Sequence, residues 1–152
     1  MNTFIRFTSR VFALLFMLSA SISLNAQCAT WNDSPDKEKA ENAHVSYRNF
    51  VKGTEDFTKL SEEEFNTSFK DWKIAYDIAP AADGQRPFHY IDGREFYRAM
   101  GKKATDAAKK KEYNDRLISF YDEELVCYPK NEAFLLGRKA NDMFYLQGYS
   151  IE

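Results

Sequence analysis

The chain has 152 residues, 21 basic against 23 acidic, a net charge of −2 and a mean hydropathy of −0.57, with thirteen Phe, nine Tyr and two Trp. That length suits one modest core, and nothing in the mild acidity argues for nucleic acid, whose binders carry a basic face. With two cysteines and two histidines the chain has little material for metal or redox chemistry.

The N-terminus has the three-part grammar of a secretory signal peptide. Arg6 and Arg10 give a positive start, Val11 to Leu18 form an apolar run too short to span a bilayer, and the polar, small stretch Ser19 to Ala26 follows. Cleavage is expected after Ala26, with Gln27 first in the mature chain. A lipid on Cys28 is the weaker alternative, because Gln27 stands where lipoprotein signals need a small residue; an uncleaved anchor is weaker still. Residues 1–26 hold two arginines and no acid, so removing them leaves 19 basic against 23 acidic side chains. Cys28 and Cys127 both remain. Either they bridge in an oxidising compartment, tying the N-terminus to the fourth helix, or Cys127 is a small buried hydrophobe and Cys28 stays free.

Residues 27–34 read as a flexible lead. Ser34-Pro35 then predicts a helix start, and Ala40, Ala43, Tyr47, Phe50 and Val51 recur at helical spacing until Gly53-Thr54. Ser61 and Glu64 form the ends of a capping box, and Phe65, Phe69, Trp72 and Tyr76 follow as one apolar stripe that Pro80 closes. Asp83-Gly84 predicts a turn. Asp92-x-x-Glu95 predicts a second capping box and a short helix through about Met100, with Thr105 capping a fourth helix from Asp106 to about Tyr128. Its stripe is Tyr113, Leu117, Phe120, Tyr121, Leu125 and Tyr128. Asn131 is expected to cap a fifth helix carrying Ala133, Leu136, Ala140, Met143 and Phe144. No stretch shows sustained strand alternation, so residues 35–152 read as all-α, a stack of antiparallel helical hairpins with about five helices.

The units repeat. Ala43-x3-Tyr47-Arg48 returns 50 residues later as Gly93-x3-Tyr97-Arg98, and Glu64-Phe65-Asn66-x2-Phe69-x2-Trp72 returns 48 later as Glu112-Tyr113-Asn114-x2-Leu117-x2-Phe120. Tyr90-Ile91-x-Gly93-Arg94 is echoed by Phe134-Leu135-x-Gly137-Arg138. Units of about 35–80 and 88–129 and an incomplete third at 131–152 follow from this pattern. Paired helices with a small residue mid-way in each first helix (Ala43, Gly93, Gly137) and a proline after each second (Pro80, Pro129) resemble tetratricopeptide (TPR) repeats. The spacing is longer than that family's, and its early Trp and Leu are absent. The Asn-Ala-Gln junction and aromatic-rich units look like exported helical-repeat proteins of Bacteroidota. The resemblance implies a right-handed stack and a protein-binding scaffold in the cell envelope, with no chemistry of its own.

In such a stack the first helices line a groove. His44, Arg94 and Arg138 follow the small residues, and Arg48 and Arg98 stand five positions beyond, so together they form a candidate ladder of cations for a partner's carboxylates. The alternative is that Arg48 and Arg98 pair with acids of neighbouring helices, such as Glu64 or Glu112. Tyr47 and Tyr97 read as core. Lys102, Lys103, Lys109, Lys110 and Lys111 read as a solvated helix start. No catalytic constellation, phosphate loop, zinc spacing or cofactor motif is present; the rival reading is a small envelope ligand-binding or hydrolytic protein using His89 and Asp92. The fifth helix is apolar on more than one side, so Leu136, Met143 and Phe144 are candidates for an interface. Through it the chain is expected to self-associate or to continue into a longer array.

Overall fold

The computed structural model describes residues 28–147; the expected signal segment and its junction at Gln27, and residues 148–152, lie outside them. The described chain is all-helical: α1 (Lys37–Val51), α2 (Glu62–Ile78), α3 (Phe88–Lys103), α4 (Ala107–Cys127) and α5 (Glu132–Gln147), with short 3-10 turns at Trp31–Asp33, Phe57–Lys59 and Pro129–Asn131. No helix among the described residues is long and apolar enough to cross a membrane.

Local chemistry sets most of these bounds. Ser61 Oγ accepts from the Glu64 N–H while the Glu64 carboxylate accepts from the Ser61 N–H, so the capping box that starts α2 is complete. Past α1, Gly53 takes a φ of +82°, a left-handed conformation that suits glycine and turns the chain out of the helix. Elsewhere the expected caps shift. Helix α1 begins at Lys37, after a turn in which Ser34 Oγ accepts from the Asp36 N–H. Helix α4 is capped by Asp106, which accepts from the Lys109 N–H, and not by Thr105. Asn131 belongs to the 3-10 turn that leads into α5. Helix α3 starts a full turn earlier than Asp92-x-x-Glu95 suggests and runs past Met100 to Lys103. Asp92 is therefore mid-helix and buried, and its carboxylate serves a tertiary contact in place of a cap.

Two antiparallel hairpins result. The start of α1 meets the end of α2 through Ala40, Ile78 and Ala79, and the end of α1 packs with Phe57 and Phe65. In the second hairpin, Gly101 lies against Asn114 at one end while the Tyr90 hydroxyl reaches Cys127 at the other. Helix α5 runs back along α4, where Asn114 Nδ2 donates to the Leu146 carbonyl and Tyr121 to Asp142. An aromatic core joins the hairpins. Trp72 is nearly fully buried, its ring centroid 5.2–5.8 Å from those of Tyr76, Phe69, Phe96 and Phe120, and its indole N–H donates to the His89 carbonyl at 2.9 Å. Gly93 makes this possible, because a Cβ there would stand 2.7 Å from the Trp72 ring and 3.1 Å from Phe120.

The lead expected to be flexible is docked over its described part, residues 28–34. Cys28 is bridged to Cys127. The Ala81 N–H donates to Ala29 O and the Trp31 N–H to Ala82 O, and Trp31 is buried against Ala40, Ala79 and Ala82.

Candidate functional site

Between α1 and the start of α3 lies an open cleft of about 300 Å³ lined by His44, Val45, Arg48, Asn49, Lys52, Arg86 and Phe88. Helical spacing puts His44 and Arg48 on one side of α1, and Lys52 stands just past its last residue. The other wall depends on the α2–α3 connection. There Asp83 accepts from the N–H groups of Gln85 and Arg86 and from Nε and Nη2 of the Arg86 side chain, which fixes the loop and sets that guanidinium beside Phe88. The guanidinium carbons of Arg48 and Arg86 stand 4.5 and 5.1 Å from the Phe88 ring centroid.

Each guanidinium is only partly engaged. Arg48 uses Nη1 for both oxygens of Asp92, at 3.1 and 2.8 Å. Arg86 gives Nε and Nη2 to Asp83. Among the described residues, Nε and Nη2 of Arg48 and Nη1 of Arg86 bond to no protein acceptor.

Behind them is a histidine pair. His89 is fully buried, its Nδ1 is 2.7 Å from the Ala79 carbonyl, and its Nε2 is 2.9 Å from His44 Nδ1. A carbonyl only accepts, so His89 Nδ1 carries the proton and Nε2 accepts from His44 Nδ1–H. The remaining lone pair, on His44 Nε2, lies open to the cleft, since no buried polar side-chain atom of the described residues lacks a partner. Trp31 covers the pair, with ring centroids 5.1 Å from His44 and 5.7 Å from His89. Burial, then the Arg48 charge, lowers the His44 pKa to about 4, and burial takes His89 to about 3. Both imidazoles are neutral at physiological pH.

The five cations expected to form a ladder do not line one groove. His44 and Arg48 meet in the cleft. Arg94 is buried, paired with Glu124 at 2.5 Å, its guanidinium carbon 4.2 Å from the Tyr121 ring centroid. Arg98 holds both oxygens of Asp142, at 3.0 and 2.8 Å, and also contacts Glu95. Arg138 lies on α5 over the Phe134 ring, 5.7 Å from its centroid. The pairing acids are Asp92, Glu95, Glu124 and Asp142, not Glu64 or Glu112. Arg48–Asp92 and Arg98–Asp142 each span 44 residues and are themselves 50 apart, so the sequence offset of 50 carries the acid as well as the arginine. In both, a tyrosine hydroxyl also donates to the acid: Tyr47 to Asp92 and Tyr121 to Asp142. Sequence reasoning passed over Arg86, Phe88 and Asp83, which a loop brings to the cleft. It also passed over the acid partners, for which the shared offset was the available signal.

On α5, Leu135 is buried against Leu117, Ile118 and Tyr121, with Met143 and Leu146 packed beside it. Leu136 and Phe144 remain exposed, and Phe134 and Tyr145 more so, at 63% and 74%. Of the interface candidates, Met143 thus faces α4, and Leu136 and Phe144 face outward. The cysteine pair stands at the C-terminal end of α4, joining the docked lead to the helix terminus. Among the described residues no cluster of three or more His, Cys, Asp or Glu is placed to hold a metal. Comparison of the chain with protein-family models, curated proteins and solved structures found no match.

Proposed function

We propose that the chain is an exported, non-enzymatic helical-repeat scaffold of the bacterial cell envelope, TPR-like in layout, that works by holding another polypeptide on the outer face of α5. The contrast between two glycines carries this reading. Gly93 sits under the rings of Trp72 and Phe120, whereas a Cβ on Gly137, its counterpart in the repeat, would meet nothing within 4 Å. Gly137 belongs to an exposed stripe with Ala133, Leu136, Ala140 and Phe144 at helical spacing.

This face carries both a bare position at Gly137 and an exposed ring at Phe144, so it is complementary to itself. In an antiparallel pair of α5 helices related by a two-fold axis between Ala140 and Asn141, Phe144 of each copy lies over Gly137 of the other, repeating the way aromatic rings cover Gly93. Such an isologous contact closes after two copies. The occupant is a second copy of this chain. The signal-like N-terminus and the Cys28–Cys127 bridge favour an oxidising compartment outside the cytoplasm.

Sedimentation over a range of concentrations tests this: dimer formation is expected, and Phe144→Lys or Leu136→Glu should leave a monomer with unchanged helicity. Ala140→Cys should cross-link two copies under mild oxidation, because the axis passes beside it. A monomer at high concentration, with the α5 amides fully protected from exchange, would rule the interface out. The rival reading, hydrolysis or ligand binding by His89 and Asp92, has less support because both side chains are buried and held by other groups.

A further inference from the structure

We propose that the cleft between α1 and the start of α3 binds the phosphate group of a free or esterified phosphate, with its oxygens on Arg48, Arg86 and Lys52 and its own O–H on His44 Nε2. The donor set is suited to a tetrahedral oxyanion. Two guanidiniums offer unengaged N–H groups, Lys52 adds an ammonium at the same wall, and the cleft opens at the first turn of α3, the positive end of a helix. Asp83 and Asp92 sit behind the guanidiniums and fix them, and neither lines the cleft.

His44 decides which oxyanion fits. The chain Ala79 O, His89, His44 forces the cleft-facing nitrogen to be an acceptor. A carboxylate or sulfate ion has no proton to give it at neutral pH, so its oxygen would meet a lone pair. At neutral pH inorganic phosphate keeps one O–H, and a phosphate monoester, whose second ionisation lies near pH 6, keeps or regains one, so either presents one donor to His44 and several acceptors to Arg48, Arg86 and Lys52. The groups facing His44 from the elements around it are Arg48 on α1, Asp83 and Arg86 in the α2–α3 connection and His89 on α3, with the Trp31 ring from the lead. Burial, then the nearby guanidiniums, keep the empty site from holding a proton, so inorganic phosphate brings one and a phosphate monoester recruits one. Above its second pKa a phosphate monoester therefore takes up a proton on binding, whereas inorganic phosphate, which still carries one, does not.

The test uses the full, disulfide-bonded chain with inorganic phosphate, glycerol 1-phosphate and sulfate in turn, by calorimetry at pH 7 and 8 in two buffers of different ionisation heat. Phosphate and glycerol 1-phosphate should bind at least tenfold more tightly than sulfate, with close to one proton taken up per glycerol 1-phosphate at pH 8 and close to none per inorganic phosphate. Arg86→Ala, at an exposed side chain, should weaken phosphate and sulfate alike. His44→Gln should erase the preference and the proton uptake together. Equal binding of glycerol 1-phosphate and inorganic phosphate would identify an esterified ligand, and binding of inorganic phosphate alone a free one. Either fits the proposal. Sulfate binding as tightly as phosphate, or no binding of either by the folded wild-type chain, would overturn it.

Discussion

His44 and His89 are neutral because burial removes the water a charged imidazole needs and Arg48 repels the proton that remains. In the unfolded chain both would titrate near pH 6.5, so the unfolded state gains protons first as the solution is acidified. Stability contributed by the pair is fully present above pH 6.5 and is lost as pH falls toward 4. The neighbouring Asp92 works in the opposite direction, since burial raises its pKa, but it acts closer to the carboxylate range. Between pH 7 and 5 the two histidines should together cost on the order of 2–4 kcal/mol. Urea unfolding across that interval measures it. A His89→Asn variant should show about half the slope, and an unchanged midpoint in the wild type would contradict the neutral pair.

Helix α3 is the element on which the arrangement turns, since it is clasped by Arg48 from α1, by the Trp72 indole from α2 and by aromatic rings of α4. Gly93→Ala puts a methyl into the Trp72 and Phe120 rings and should lower stability by about 1–3 kcal/mol despite alanine's better helix propensity. Gly137→Ala meets open space and should raise monomer stability by about 0.5–1 kcal/mol. Thermal melts of the two variants should therefore shift in opposite directions, and a shift of the same sign in both would contradict the difference in packing. What the sequence revealed about these helices follows the range of the interactions. Ser61 and Glu64 cap α2 within one turn, so their pattern was readable, as were the apolar stripes through Trp72 and Leu117. Asp92 and Glu95 mimic the same local pattern, but the real partner of Asp92 is an arginine 44 residues away, and no window along α3 contains it. The cleft was half legible: His44 and Arg48 share a helix face, while Arg86 and Phe88 arrive through a loop whose path is set by Asp83.

For the molecule as a whole, the Cys28–Cys127 bridge closes a loop of 99 residues around both hairpins and holds the lead that covers the histidine pair. Reduction should lower unfolding free energy by about 4–5 kcal/mol on the chain-entropy account and raise Trp31 exposure, read by urea titration and tryptophan fluorescence with and without dithiothreitol. Equal midpoints in the two titrations would show that the helices hold the lead without help. The bridge also sets an order of events during synthesis. Cys28 is made early and its partner Cys127 comes 99 residues later, so it waits as a thiol until α4 has been made and its last turn is delivered to the docked lead. Oxidation thus comes late and marks a chain whose first four helices are already arranged. A variant that delays their packing, such as one altered at Gly93, leaves Cys28 exposed to the thiols of other chains, and its defect would surface as mixed disulfide-linked species before any loss of helix could be seen.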